Sequence, residues 1–145
     1  MSDTPTVTMK GNPVKLAGQP VQVGDRAPDF ELIGADMQPV RLSDFRGKIL
    51  VISAVPSLDT SVCDAETRKF NEMADTLGKD VAILTVSVDL PFAQKRWMQQ
   101  NGVEKVICAS DHREVNFGRN YGILMEDHRL LARCVFVVDR EGVIR

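Results

Sequence analysis

The stretch from Ile49 to Val55, Ile-Leu-Val-Ile-Ser-Ala-Val, contains no charged residue and is rich in β-branched side chains. A short apolar run of this kind is typical of a β-strand that is buried on both faces of its sheet. Pro56 follows directly and ends the strand, because proline has no backbone N–H to donate to a neighbouring strand. A strand with two buried faces needs a further layer on each side, so the sequence favours a sheet that is covered by helices on both sides.

The rest of the chain alternates between helical and strand patterns. Apolar residues recur at helical spacing after the first strand and predict a helix that ends near Gly78: Ala65, Phe70, Met73, Ala74 and Leu77. The other predicted elements are a hairpin at 6–16, edge strands at 29–33 and 39–42, a capped turn at 43–47, strands at 80–88, 103–109 and 131–138, helices at 91–101 and 114–121, and a turn at 139–142. This order predicts one α/β domain over residues 1–145, with a central mixed sheet, flanking helices and an amino-terminal β-hairpin.

Cys63 lies in the first turn of the helix that follows this strand. Thr60 is a natural N-cap, which makes Cys63 the third helical residue. Unpaired backbone N–H groups and the positive end of the helix dipole favour a thiolate there, and the thiolate is the reactive form of cysteine. The alternative is that Cys63 is a small buried apolar residue, as many unpaired cysteines are. From its position alone, the two interpretations stand equal.

The residues Pro56, Thr60 and Cys63 have the Pro-x-x-x-Thr-x-x-Cys spacing of the peroxiredoxin active site, and the string 55–63 resembles the thiol peroxidase subfamily, of the atypical two-cysteine type. Similar strings of that subfamily are found at 11–14, 89–97, 110–113, 117–118 and 130–133. The resemblance implies a thioredoxin-like fold with an amino-terminal hairpin. It also implies a helix after the last strand, which these 145 residues do not include.

The resemblance implies a thiol-dependent peroxidase that reduces hydrogen peroxide and alkyl hydroperoxides without metal, haem or flavin. Cys63 would be the nucleophile, while Thr60 and Arg133 would contact the thiolate and the peroxide oxygens. Pro56 would shape the loop and shield the sulfur. Arg133 occurs in the apolar run 130–138, where a guanidinium needs a partner, so a structural ion pair is the alternative when the residues are considered alone.

The sequence departs from its relatives at Met98, where most thiol peroxidases have the resolving cysteine. From the pattern of the predicted helix at 91–101, Met98 faces the core together with Phe92 and Trp97. Three explanations remain open: an external thiol resolves the sulfenic acid, Cys108 or Cys134 has taken over that role, or Met98 is an engineered replacement. Burial in the structure is the alternative role for both cysteines, and Cys108 with His112 lacks further metal ligands. The loss of the resolving cysteine also raises a second hypothesis, a peroxide-sensing or holdase-like binding protein with poor turnover.

Charge and cysteine content limit the binding partners and the compartment that we expect for this protein. With 18 Lys and Arg against 20 Asp and Glu, no basic surface suggests nucleic-acid binding. The three cysteines form no CxxC pair, no basic start precedes an apolar run at the N-terminus, and no apolar stretch is long enough to cross a bilayer. We therefore expect a cytoplasmic protein without membrane or nucleic-acid partners. By resemblance, it forms homodimers and is reduced by thioredoxin or another thiol.

Overall fold

The computed structural model describes residues 6–9, 12–17, 20–59, 61–78, 80–113 and 115–145. Within these ranges the strands form two sheets, and helices α1 to α3 and one short 3-10 helix connect them. The strands are β1 (Thr6–Met9), β2 (Asn12–Ala17), β3 (Glu31–Gly34), β4 (Pro39–Arg41), β5 (Ile49–Ala54), β6 (Val81–Ser87), β7 (Ile107–Ser110), β8 (Leu124–Met125), β9 (Leu130–Leu131) and β10 (Cys134–Val138). The helices are α1 (Ser61–Leu77), α2 (Pro91–Asn101), α3 (Asn116–Asn120) and the 3-10 helix Leu42–Phe45.

The larger sheet has six strands in the order β10-β5-β6-β7-β3-β4. β5, β6 and β7 are parallel, whereas β10, β3 and β4 pair antiparallel with their neighbours. This arrangement confirms the predicted mixed sheet, and β4 is one of its edges, as expected for the segment at 39–42. The edge position predicted for 29–33 is wrong, because β3 pairs with β7 on one side and β4 on the other. Towards the end of β5, Ile52, Ser53 and Ala54 have no exposed surface, so the strand is covered on both faces there.

Two apolar clusters lie on opposite faces of this sheet, since their members alternate along the strands. On one face, Ile83 and Cys108 pack with residues of α1 and α2, including Phe70 and Trp97. On the other face, the larger cluster joins the sheet to α3 and to the second sheet. It includes Leu50, Ile52, Leu84, Val86, Ala109, Phe117, Tyr121, Leu124 and Leu131. The expectation of layers on both sides is confirmed, although the second sheet supplies part of one layer.

The second sheet has four strands in the order β1-β2-β8-β9. β1 and β2 pair antiparallel, with Val7 opposite Val14, as the predicted amino-terminal hairpin requires. Residues 10 and 11, which connect the two strands, lie outside the described ranges. The pairing of β2 with β8 was not predicted, because β8 and β9 are only two residues long each.

The predicted uninterrupted strand at 131–138 is wrong. β9 pairs with β8 in the smaller sheet, β10 pairs with β5 in the larger one, and the chain crosses between the sheets at Ala132 and Arg133. The break has no local signal, because apolar residues fill both strands and no glycine or proline separates them. Arg133 therefore lies in a connection and not inside a strand.

The helices also differ in detail from the prediction. In α1, Thr67 is fully buried and Phe70 is half-buried, whereas Ala65 and Met73 are exposed, so part of the predicted apolar face is wrong. α2 has the predicted bounds, and Gly102 ends it with a left-handed φ of 63°. Among the helices of the described ranges, none has the length and apolar character that crossing a bilayer would require.

Candidate active site

Cys63 is the third residue of α1, as the spacing predicts. β5 ends at Ala54 and α1 begins at Ser61, so the loop between them places the start of the helix beyond the carboxyl end of a buried strand. Thr60 and the side chain of Cys63 lie outside the described part of the chain. A cysteine at the third position of a 17-residue helix is close to backbone N–H groups that lack helical partners, which lowers the free energy of the thiolate.

The first half of this loop is held against the sheet. The backbone N–H of Val55 donates to the carbonyl of Val86 at 3.0 Å, which extends the pairing of β5 with β6 by one residue. Pro56 is half-buried, and the side chain of Leu58 is only 3% exposed in the cluster beneath α1 and α2. The loop is therefore packed on its inner side before the chain enters α1.

Arg133 lies at the same end of the sheet as the start of α1. β10 begins at Cys134, which pairs with Ala54, the last residue of β5. The Nε of Arg133 is 4.0 Å from Oε2 of Glu66, and the side chain of Arg133 is 44% exposed. The structure thus brings the guanidinium to the first two turns of the helix that carries Cys63, and leaves part of it accessible.

Glu66 and Ser53 complete this arrangement, and neither was predicted. Ser53 is fully buried in β5, and its hydroxyl donates to Oε1 of Glu66 at 3.0 Å. Glu66 follows Cys63 by three residues in α1. The sequence did indicate that Arg133 needs an acidic partner, because its guanidinium occurs in an apolar segment. An ion pair this exposed contributes about 0.2–1 kcal/mol to stability, so its main effect is on the orientation of the guanidinium.

The other two cysteines are poor nucleophiles. Cys108 is 2% exposed, and burial, together with the charge of Asp89, raises the pKa of its thiol to about 12. Burial also raises the pKa of Cys134, which is half-buried at the start of β10. In the part of the chain that the structure describes, Cys108 and His112 have no further His, Cys, Asp or Glu with which to hold a metal ion. These features favour a structural role for both cysteines.

Met98 is half-buried on α2, beside Trp97, and both pack against the cluster that contains Cys108. The prediction that Met98 and Trp97 face the core is confirmed. The same prediction for Phe92 is wrong, since this residue is 69% exposed. The buried positions of α2 are Pro91, Gln94 and Trp97, and a side chain one residue after Pro91 points about 100° away from that face.

Comparison with known proteins identifies the family of the chain. The model of the AhpC/TSA family matches residues 23–145. The chain belongs to the AhpC/TSA family. It is 55% identical over 134 residues to a thiol peroxidase of Halalkalibacterium halodurans, a match that covers 92% of the chain and 80% of the relative. It is 51% identical over 138 residues to a thiol peroxidase of Bacillus subtilis, which covers 95% of the chain and 82% of that relative.

A solved structure supports the fold as well as the family. The peroxiredoxin-like protein of Aquifex aeolicus is 42% identical to the chain and superimposes with a TM-score of 0.89, covering 96% of the chain and 82% of that protein. The predicted resemblance to thiol peroxidases and the predicted thioredoxin-like fold are therefore confirmed.

Proposed function

We propose that Cys63 is the nucleophile of a thiol-dependent peroxidase that reduces hydrogen peroxide and small alkyl hydroperoxides. Family membership and the thiol peroxidase relatives establish the class of reaction, in which a peroxide is reduced at the expense of a thiol. The observation that carries the residue assignment is the position of Cys63 in the first turn of α1, with Arg133 held beside the same helix by Glu66. The relatives do not favour the alternative of a sensing or holdase-like protein.

The first step is a nucleophilic displacement. The thiolate sulfur of Cys63 attacks the terminal oxygen of the hydroperoxide, an S–O bond forms, and the O–O bond breaks. The two bonding electrons of the O–O bond leave with the second oxygen, which takes up a proton and departs as water or an alcohol. Sulfur is oxidised by two electrons to the sulfenic acid, and the peroxide is reduced by the same two electrons.

In this proposal each site residue serves the displacement. The helix start favours the thiolate, and the Arg133 guanidinium binds the peroxide oxygens and the charge that develops on the leaving oxygen. Thr60 would hydrogen-bond to the thiolate and the peroxide, and Pro56 would shield the sulfur from water. The half-exposed position of Arg133 supports this role, because a substrate can reach the guanidinium without unfolding the sheet.

We further propose that an external thiol resolves the sulfenic acid. The thioether of Met98 has no hydrogen to lose and forms no disulfide, and the buried Cys108 has the raised pKa of a poor nucleophile. A reducing thiol such as thioredoxin would condense with the sulfenic acid to a mixed disulfide and water, and a second thiol would release Cys63. A homodimer in the cytoplasm would fit the resemblance to the subfamily and the supply of thiols there.

Stopped-flow oxidation of the reduced protein by stoichiometric hydrogen peroxide tests the proposal. We expect one sulfenic acid per chain, mapped to Cys63 by mass spectrometry, and none in Cys63→Ser. Arg133→Met should slow oxidation by about 100-fold or more, which is the usual cost of losing one transition-state donor. Arg119→Met is the matched control, because Arg119 has an equally long 4.0 Å contact to Glu126 and similar exposure.

Oxidation of Cys63→Ser at the wild-type rate would contradict the assignment of the nucleophile. Equal rates for Arg133→Met and Arg119→Met would remove Arg133 from the mechanism. For resolution, the double variant Cys108→Ala/Cys134→Ala should turn over with an added thiol as the wild type does, whereas loss of turnover would identify an internal resolving cysteine.

A further inference from the structure

The carboxylate of Asp89 joins the loop before α1 to the segment between β6 and α2. Asp89 lies two residues after the end of β6 and two before Pro91, the first residue of α2. Its Oδ1 accepts a hydrogen bond from the hydroxyl of Ser57 at 2.7 Å, and its Oδ2 accepts one from the backbone N–H of Leu58 at 2.8 Å. Both donors are in the loop that leads into α1.

A second set of hydrogen bonds fixes Asp89 itself. The hydroxyl of Ser87 donates to Oδ2 of Asp89 at 2.8 Å, and Nε2 of the buried Gln94 donates to Ser87 at 2.9 Å. The hydroxyl of Ser110 donates to the backbone carbonyl of Asp89 at 2.5 Å. Asp89 is thus held by hydrogen bonds from Ser87 of β6 and Ser110 of β7, and through Ser87 it is linked to Gln94 of α2, so the position of the loop depends on these elements.

We propose, on the basis of the peroxidase function above, that Asp89 is a positioning residue for the oxidation of Cys63. Its carboxylate fixes Ser57 and Leu58, and Leu58 precedes Cys63 by five residues in the chain. Hydrogen bonds to an ionised acceptor are stronger than neutral ones, so this contact restrains the loop more than a neutral side chain could. The start of α1 therefore keeps a fixed position relative to Arg133.

The same set of contacts joins the loop that leads to the proposed nucleophile to a helix on the neighbouring side of the sheet. One end is the loop before Cys63, and the other is α2, the helix that carries Met98 at the position of the resolving cysteine in relatives. Oxidation needs an ordered site around the sulfur, because small errors in the alignment of reacting atoms slow a displacement strongly. Reduction by a small external thiol needs access to the sulfenic acid, and it depends less on an ordered arrangement of the residues around the sulfur. Asp89 should therefore affect the two half-reactions unequally.

The variant Asp89→Asn tests this inference, since it keeps the shape of the side chain and replaces one acceptor oxygen with a donor that faces existing donors. We expect the rate constant for oxidation of Cys63 by hydrogen peroxide to fall by about 10-fold to 100-fold. Reduction of the oxidised protein by dithiothreitol should proceed at the wild-type rate or faster. The pKa of Cys63, followed by thiolate absorbance, should rise as the helix start loses its fixed position.

The direction of the pKa change separates positioning from simple electrostatics. Removal of a negative charge near a thiol favours the thiolate, so a purely Coulombic role for Asp89 predicts a lower pKa for Cys63 and faster oxidation. Asp59→Asn is the matched control, because Asp59 is an exposed carboxylate in the same loop. It should leave both half-reactions close to those of the wild type.

Ser57→Ala is a milder variant for the case in which Asp89→Asn does not fold. It should lower the rate constant for oxidation of Cys63 by a smaller factor and leave the rate of reduction unchanged. In the double variant the two effects should not add, because both remove the same contact. Wild-type oxidation in Asp89→Asn and Ser57→Ala would overturn the inference while leaving the peroxidase function intact. An equal fall in oxidation and reduction would overturn it too, since that result indicates a general loss of structure.

Discussion

The buried thiol of Cys108 makes the stability of the protein depend on pH in a predictable way. Burial, together with the charge of Asp89, raises its pKa from the ordinary 9.0 to about 12 in the folded state. Above pH 9 the unfolded chain therefore loses a proton that the folded chain keeps until about pH 12. The unfolded state binds fewer protons in this window, so the free energy of unfolding falls as the pH rises, by about 1.4 kcal/mol per pH unit.

The comparison of wild type with Cys108→Ala isolates this contribution. At pH 10.5, which is 1.5 units above the ordinary pKa, the Cys108 thiol should lower the free energy of unfolding of the wild type by about 2 kcal/mol relative to pH 8. The variant loses some packing at every pH, but its stability should decline less steeply above pH 9. Burial also raises the pKa of Tyr121, and because that residue is present in both proteins its effect cancels in the difference.

Urea unfolding at pH 8, 9, 9.75 and 10.5 in the presence of a reductant measures how steeply the free energy of unfolding declines with pH in the wild type and in Cys108→Ala. A second readout is alkylation by iodoacetamide at pH 8, where the thiolate fraction of Cys108 should be about a thousandfold below that of an ordinary cysteine. Parallel slopes for the two proteins, or alkylation of Cys108 as fast as in the unfolded chain, would refute the reasoning. Either result would also return Cys108 to consideration as a resolving cysteine.

Two further predictions concern the core that supports the site. Tyr121→Phe should lower the free energy of unfolding by about 1–2 kcal/mol in urea, because the hydroxyl donates to the carbonyl of Pro28 at 2.8 Å while the ring contacts remain; an unchanged midpoint would contradict this. Gly118→Ala should destabilise by about 1–3 kcal/mol, since its Cβ would lie 2.7 Å from Leu131 Cδ2 and 3.1 Å from Leu124 Cβ. In a Leu131→Ala background the same change should cost less, and an equal cost would show that this contact is not the cause.

The elements that the sequence predicted well are those with a local cause. The charge-free run before Pro56 forms β5, and helical periodicity with a proline start and a glycine end gives α2 its bounds. The position of Cys63 followed from the same local signals. Each of these features depends on residues close together in the chain, so the local sequence pattern was sufficient to predict it.

The features that the sequence did not reveal depend on contacts between distant residues. Ser57 and Asp89 are 32 positions apart, and although Asp89 begins the subfamily string at 89–97, the sequence did not indicate which residues its carboxylate contacts. Glu66 and Arg133 are further apart still, and their contact follows from the pairing of β10 with β5. Phe92 was assigned to the core because its helix is amphipathic, but the buried face is set by what α2 packs against, and that is a tertiary property.

The break between β9 and β10 places Arg133 in the connection between the two sheets. β10 stands at one end of the strand order of the larger sheet, and Val135 and Val137, at alternate positions after Arg133, are 46% and 36% exposed, so this side of the strand faces solvent. The chain leaves the small sheet at Leu131 and enters the large sheet at Cys134, which puts Arg133 in the connection with 44% of its side chain exposed. The pairing of Cys134 with Ala54 then brings this connection to the carboxyl end of β5, beyond which α1 begins. The crossing between the two sheets therefore places a partly solvated cation near the start of the helix that carries Cys63.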